Sequence, residues 1–436
     1  MQIYLGLGSN LGDRRENLRA AVRHLADKGL IIQRLSPVVE SPAMLPHTSP
    51  SEWQRPFLNL VAECETDRSP QDLHGWIKEI QTALGRRDPA RWSPRPIDID
   101  ILLWGREQIA TVELTVPHPA ITGRSFVLIP LIALRPDLTI PGLSDKTVLD
   151  WSRALTSHIP LWMGVLNVTP DSFSDGGRFW DWERLELHVR TMIDAGVHII
   201  DVGGESTRPG AEAVAPSEEW SRIGAVLEAL VARRRSDPLA PRVSVDTYHP
   251  ETARRALELG VDMINDVSGL TTPEMLALAR ESGVDWIAMH QLSLPVDPAI
   301  NLPEDRDPVQ AVEEWLLAQL TAWDSAGLDL GRIIFDPGIG FGKTALQSLE
   351  IIRRASEFRR DGLRVLIGHS RKSFLKIFAT DYDASRDLAT VGVSMKLCEQ
   401  GVDVIRVHNV PAHIAAHLGW AHAVSATVPD LRHDLK

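Results

Sequence analysis

Apolar and polar positions change rhythm near residue 155. Before it, QIYLGLG alternates like a strand and residues 13–28 repeat like a charged amphipathic helix. LIIQRLSPVVE reads as a second strand, followed by a Pro/Ser-rich loop, SPAMLPHTSPSEWQRP. FLNLVAECE then reads as a third strand, 70–84 as a second helix and PIDIDILLW as a fourth strand. The order β, α, β, β, α, β is the split βαβ arrangement of a ferredoxin-like α+β fold. A further helix is expected near 124–135 and a linker near 150–160, which sets a first domain at 1–155.

From about residue 161 to 430 the period lengthens. Short apolar runs recur, each ending in a polar residue: LWMGVLN, HIIDVGGES, RVSVDT, MINDVSG, WIAMH, IIFDPG, VLIGHSRK and VIRVHN. Helix-like stretches such as 250–260 and 273–282 separate them. Eight strand–helix units in about 270 residues are what a (β/α)8 TIM barrel, an α/β fold, requires. The polar ends Asn167, Asp201, Asp246, Asn265, His290, Asp336, Lys372 and His408 would then line one mouth. Any one of them could simply cap the next helix. Eight together point to a site.

Composition narrows the classes. Of 436 residues, 46 are Lys or Arg and 58 are Asp or Glu, a net charge of −12. That argues against nucleic acid or an anionic membrane surface as partner. Two cysteines, Cys64 and Cys398, make neither a disulfide framework nor a zinc site alone. The opening MQIYLGLGSN has no signal-peptide pattern, and no run approaches the eighteen apolar residues of a membrane span. A cytoplasmic enzyme or binding protein is the expectation.

Chemistry concentrates in two places. In PRPIDIDIL, Asp98 and Asp100 stand at i and i+2 of a strand, so both carboxylates share one face. They are either the acidic outward positions of an edge strand or a pair that a divalent cation relieves of repulsion, as Mg²⁺ does beside phosphate. Just upstream, GRRDPARWSPR carries Arg86, Arg87, Arg91 and Arg95. Such a cluster beside two acids in an acidic chain suggests a polyanion held between metal and guanidinium groups. His118, in LTVPHPA, adds a candidate phosphate donor.

The motifs GLGSNLGD, FLN, RWSPRPIDIDIL, LTVPH and GRSF occur in the order seen in 6-hydroxymethyl-7,8-dihydropterin pyrophosphokinases, which the first 155 residues resemble. The resemblance implies that Asp98 and Asp100 hold two Mg²⁺ ions bridging ATP and pterin. It implies that Arg86, Arg95, His118 and Arg124 handle the triphosphate, that Asn59 hydrogen-bonds the pterin, and that Phe57 and Phe126 sandwich its ring. Trp92 would sit on a mobile catalytic loop. The chain departs from the family pattern at Ser93, where glycine is usual, and at Gln81, where a helical glutamate is frequent. Gln81 could hydrogen-bond an adenine or ribose without adding charge. The loop is also about one residue short, so Arg86 and Arg87 both remain candidates for one role.

In the second half, LNVTPDSFSDGG opens with Asn167, a neutral oxygen for Mg²⁺, and continues as a lid-like loop. The glycines of DVGGESTRPGA free backbone N–H groups, and Thr207 and Arg208 can meet an anion. DPGIGFGKT is not a P-loop, because Pro337 stands where its first glycine is required. Asp336 is better read as an acceptor for an aminopyrimidine edge, with Asp246, Asn265 and Lys372 adding acceptors and donors. Arg406 and His408 share a face at i and i+2 beside the glycine loops, which suits a diphosphate.

GVLNVTPDSFSDGG, DVGGESTRPGA, SVDT, INDVSG, MH, DPGIGFGKT, GHSRKS and RVHNV occur in the order seen in dihydropteroate synthases, which residues 161–425 resemble. The resemblance implies that Asp246, Asn265, Met289, Asp336 and Lys372 hold the pterin. Asn167, Arg406 and His408 would hold one Mg²⁺ and the diphosphate, and Thr207, Arg208, Phe341 and Ser370 the p-aminobenzoate site. It also implies a homodimer through the barrel. The segment 291–308 and RVHN, where RVHD is usual, depart from the family pattern. Together the halves suggest a transferase that takes a pterin, ATP and p-aminobenzoate in two steps. The competing readings are a pterin-dependent methyltransferase barrel and a pterin-binding module with one degenerate half.

Overall fold

Residues 1–424 are described by a computed structural model, except 47, 88–91, 156–157, 170–181, 207–212, 360–361, 378 and 380–382. The chain divides into two compact units, Met1–Ile159 with the chain end from His417, and Pro160–Ala416.

In the first unit, strand β1 (Gln2–Ser9) leads into helix α1 (Arg14–Asp27). The Asp13 carboxylate caps α1 by accepting from the Glu16 N–H at 3.0 Å, and Leu18, Ala21, Val22 and Leu25 form its buried stripe. Next come β2 (Ile31–Leu35), β3 (Val39–Ser41) and β4 (Phe57–Glu65). Helix α2 (Pro70–Ala83) starts at a Ser69/Asp72 capping box and buries Leu73, Ile77 and Ile80. Strand β5 (Asp98–Trp104) follows, and the sheet order is β2-β4-β1-β5, all antiparallel, as a ferredoxin-like fold requires.

LIIQRLSPVVE is two strands instead of one. Ser36 N–H donates to the Val61 carbonyl at 2.9 Å, but the Val61 N–H bonds the Ser36 hydroxyl, also at 2.9 Å, in place of a backbone carbonyl. Pro37 then offers no N–H, so the ladder stops at Leu35 and resumes in β3 against the other end of β4. A short hairpin, β6 (Ile109–Ala110) with β7 (Thr115–Val116), and the apolar helix α3 (Ser125–Leu134), buried from Val127 onward, complete the packing. A capped turn, α4 (Val148–Ser152), follows.

In the second unit eight parallel strands close into a barrel: β8 (Leu161–Asn167), β9 (Ile199–Gly203), β10 (Arg242–Asp246), β11 (Met263–Asp266), β12 (Asp285–Met289), β13 (Ile333–Asp336), β14 (Arg364–Ile367) and β15 (Val404–Val407). Each is followed by a helix, at Trp182–Ala195, Pro216–Ser236, Pro250–Leu259, Pro273–Glu281, Pro308–Ser325, Ala345–Arg353, Asp383–Glu399 and Val410–Val424. Proline at the first helical turn starts four of them, where its missing N–H costs nothing. Register brings Asn167, Gly203, Asp246 and Asn265 side by side across four strand ends. Met289 pairs with Asp336 in the same way.

At the opposite rim, buried Asp285 accepts from Arg364 at 2.9 Å and stands 3.5 and 3.6 Å from Arg242 and Arg332. It ties the beginnings of three strands together. Among the described residues no helix is long and apolar enough to cross a membrane.

Two candidate active sites

Strand β5 alternates, with Ile99 and Ile101 buried and Asp98 and Asp100 facing a cleft. In register with β1, Asp98 pairs with Gly8 and Asp100 with Gly6, so no side chain stands opposite either acid. The cleft has a volume of about 740 Å³. Its lining includes Phe57, Asn59, Arg86, Trp92, Arg95, Asp98, Asp100, His118, Arg124 and Phe126, so all ten residues expected there from the sequence come together. Arg86 reaches the cleft, while Arg87 is exposed outside it.

The two acids differ. Asp98 accepts from Arg86 at 2.6 Å and from Arg95 at 3.0 Å. The nearest base to Asp100 is His118, with Nε2 at 3.9 Å. The Asp100 side chain is 43 % open to the cleft, yet the surrounding protein withdraws it from bulk water. That desolvation, with the Asp98 charge added, raises its carboxyl to about 6. Burial, and then Arg124, push the His118 imidazole down to about 4, so it is neutral near pH 7. Its Nδ1 accepts from the Ala120 N–H at 3.1 Å, which assigns the proton to Nε2, the nitrogen facing Asp100.

Gln81 is not among the residues that line the cleft. Its Oε1 accepts from Arg86 and, at 3.3 Å, from the Ile99 N–H, so it orients the arginine from behind. Buried Asn10 has the same supporting character. Its Oδ1 accepts from the Arg95 N–H at 2.7 Å and its Nδ2 donates to the Arg55 carbonyl at 3.3 Å. Asn59, buried on β4, donates to Ser41 at 3.0 Å. Guanidinium Arg124 lies 5.7 Å from the Phe126 ring centroid.

Around the barrel mouth, Asn265, Met289, Asp336 and Ser370 are buried, while Asn167, Asp246, Phe341, Lys372, Arg406 and His408 keep partial exposure. Thr207 and Arg208 lie outside the described residues. Arg406 donates through Nε to Asp201 and through Nη2 to Asp246, both at 2.6 Å. Asn265 donates to the same Asp201 oxygen at 3.1 Å, leaving the other oxygen of this fully buried carboxylate without a hydrogen bond among the described residues. Burial raises the Asp246 carboxyl against the opposing pull of Arg406. Sequence reasoning placed Asp201 at the mouth and gave it no partner. Its pairing crosses 205 positions of chain, which no local pattern reports.

The Asp336 carboxylate accepts from the Gly338 N–H at 2.8 Å. Gly338 has φ +68°, and a Cβ there would stand 1.9 Å from the His290 carbonyl, so only glycine allows this turn. Lys372 donates to the Ile339 carbonyl, and its Nζ lies 4.5 Å from the centroid of the Phe341 ring. Burial, offset by Asp336, pushes the Lys372 ammonium down to about 8. Lys343, which sequence reasoning passed over, is buried, with its Nζ 2.8 Å from His290 Nδ1 and donating to the Phe341 carbonyl at 2.9 Å. Ser370 Oγ accepts from the His408 N–H at 3.2 Å and lies 3.0 Å from its Nδ1.

Among the described residues no three of His, Cys, Asp and Glu gather as a metal cage. Two adjacent carboxylates in a cleft, one of them without a guanidinium partner at hydrogen-bond distance, fit Mg²⁺, which takes few protein oxygens and completes its shell with phosphate and water. At the barrel mouth Asn167 offers one neutral oxygen, which fits an ion bound chiefly by a ligand's own phosphates.

Comparison with known proteins agrees with both halves. Residues 4–136 match the family of 7,8-dihydro-6-hydroxymethylpterin-pyrophosphokinases, and residues 163–408 the pterin binding enzymes. The folate synthesis bifunctional protein of Chlamydia muridarum is 37% identical over 445 residues, covering 96% of this chain and 98% of that one. A dihydropteroate synthase from Xanthomonas albilineans, solved with 4-aminobenzoic acid, is 36% identical with a TM-score of 0.56, over 62% of this chain and 94% of that one. The dihydropteroate synthase of Anaplasma phagocytophilum, solved with 6-hydroxymethylpterin-monophosphate, is also 36% identical, with a TM-score of 0.55 over 61% of this chain and 99% of that one. The chain belongs to the bifunctional folate-synthesis enzymes, transferases that join a hydroxymethyldihydropterin pyrophosphokinase to a dihydropteroate synthase.

Proposed function

We propose that the named cleft and mouth residues carry two successive transfers. In the cleft, Phe57 and Phe126 hold a pterin ring between them and Asn59 reads its edge. Asp98 and Asp100 would hold two Mg²⁺ ions, which would supply charge neutralisation to the ATP phosphates. Arg86, Arg95, Arg124 and neutral His118 donate to phosphate oxygens, and Trp92 closes over them. The pterin hydroxymethyl oxygen attacks the β-phosphorus. A P–O bond forms, the bond to the α-phosphate oxygen breaks, the hydroxyl proton leaves and AMP departs. Positioning by these residues accounts for much of the rate.

At the barrel mouth the transferred diphosphate becomes the leaving group. Asp246, Asn265, Met289, Asp336 and Lys372 hold the pterin. Arg406 and His408 receive the diphosphate as the methylene C–O bond breaks, and Asn167 would hold one Mg²⁺ that supplies further charge neutralisation. Thr207, Arg208, Phe341 and Ser370 position p-aminobenzoate, whose nitrogen forms the new C–N bond and then loses a proton, giving 7,8-dihydropteroate. Both steps run on small molecules, and the reading places the chain in the cytoplasm as a homodimer through the barrel. The exposed Leu346 and Leu388, on helices Ala345–Arg353 and Asp383–Glu399, offer apolar surface for such pairing.

The observation that carries this reading is the convergence of two acids, three arginines and two phenylalanines on a single cavity. A coupled assay tests it, with hydroxymethyl-dihydropterin, ATP, Mg²⁺ and p-aminobenzoate supplied and AMP and dihydropteroate followed together. Asp98→Ala is expected to stop both products, and Lys372→Ala only the second. Undiminished AMP formation by Asp98→Ala would overturn the metal assignment.

A further inference from the structure

The loops after β14 and β15 carry Lys372 and His408, and a third element joins them from outside the mouth. Arg371 forms a two-point pair with Asp387 of the helix Asp383–Glu399, Nε to Oδ1 at 2.7 Å and Nη2 to Oδ2 at 2.9 Å. Asn409 donates from Nδ2 to the same Oδ2 at 3.1 Å. Its Oδ1 accepts from the Ala412 N–H at 3.3 Å, capping the helix Val410–Val424, so both ends of the amide are committed. Asp387 therefore takes donors from the residue before Lys372 and from the residue after His408.

Two features indicate that this linkage sets geometry. Arg371 has φ +58°, a left-handed conformation that a non-glycine residue keeps only when its surroundings hold it there. Inside the mouth the same loops meet again, where Ser370 Oγ accepts from the His408 N–H at 3.2 Å. The loops are thus joined at two points, Arg371 and Asn409 on Asp387 and Ser370 on His408, with Lys372 the next residue after Arg371. An aspartate at 409 could keep the helix cap but would turn a donor toward Asp387 into a like charge.

We propose that Asp387 and Asn409 act as a pair of positioning residues that set Lys372 and His408 for the synthase reaction. The inference rests on the assignment of those two residues to the synthase site.

The test uses the full chain, with AMP formation as an internal control for folding and pterin diphosphate supplied directly to the second step. Asn409→Asp is expected to raise the KM for pterin diphosphate about tenfold, the effect of one lost charge-assisted hydrogen bond, and Asp387→Asn, which also breaks the two-point pair with Arg371, by more, with AMP formation unchanged. The double variant D387N/N409D restores a donor facing an acceptor between the two positions but not the charge pair with Arg371, so it is expected to recover part of the loss seen in Asp387→Asn alone. Single variants with normal constants, losses that simply multiply in the double variant, or an equal loss of AMP formation would each overturn the proposal. Lys372→Met separates the two levels. If it leaves synthase constants unchanged, the assignment of the mouth fails; if it removes activity while the clamp variants do nothing, only the clamp fails.

Discussion

Asp98 and Asp100 stand two residues apart on one face of β5, yet Arg86 and Arg95 both bond Asp98, while His118 stands 3.9 Å from Asp100 and Arg124, Arg86 and Arg95 act on it by charge alone. The chain's own guanidinium groups touch one carboxylate directly and leave the other more open toward the cleft. Asp100→Asn should therefore abolish metal-dependent AMP formation, by roughly 10³-fold, by removing the ligand without disturbing the arginines. Asp98→Asn should be as inactive and should in addition loosen Arg86 and Arg95. Mg²⁺ titration followed by tryptophan fluorescence separates the two. Retained Mg²⁺ response in Asp100→Asn would sink the assignment.

Gln81 holds Arg86 from behind through a neutral oxygen. A carboxylate there would compete with phosphate for the same guanidinium. Gln81→Glu should raise the KM for ATP several-fold, about 1 kcal/mol of added competition, and leave the KM for pterin unchanged. Steady-state kinetics with each substrate varied in turn decides this.

Lys372 makes the synthase half sensitive to pH. Its ammonium, pushed down to about 8, is charged below that value and neutral above it. Synthase kcat/KM should fall as pH rises through about 8, because the cation that faces Asp336 and the ligand is lost. Lys372→Arg should move this limb beyond the accessible range. A wild-type profile flat to pH 10 would contradict the assignment.

Asp285 carries stability at the rim away from the mouth. Burial acts to raise its carboxyl, but Arg364, and then Arg242 and Arg332, hold it below the usual carboxylate range. A depressed carboxyl contributes stability above its unfolded titration, and that contribution is lost as pH falls below about 4. Asp285→Asn removes the carboxylate that faces buried Arg364 and Arg242, so it should destabilise the barrel by about 3 kcal/mol at pH 7 and flatten the acid limb. Urea midpoints between pH 3 and pH 7 test both.

The legible parts of this chain were those with a local signature. The alternation of Asp98 and Asp100 with isoleucines predicts their common face, and the eight polar strand ends predict the mouth. LIIQRLSPVVE misled because its alternation runs through Pro37, and the ladder is broken by a missing N–H and a serine hydroxyl standing in for a carbonyl. Which of Arg86 and Arg87 lines the cleft needed the fold, since adjacent residues on a loop carry no facing rule. Arg406 was legible as a strand-end base, but its commitment to Asp201 and Asp246 was not, because those partners come from strands far away in sequence.

Gly6 and Gly8 have a consequence for what the first cleft admits. A methyl group at Gly8 would stand 3.0 Å from Asn59 Oδ1 and 3.5 Å from the Phe57 ring, and one at Gly6 would stand 3.3 Å from Leu102. The missing side chains leave Asn59, Phe57 and Leu102 the space that a Cβ at either position would take from them. Alanine at position 8 would thus behave as an inhibitor written into the backbone, present in every molecule and impossible to wash out.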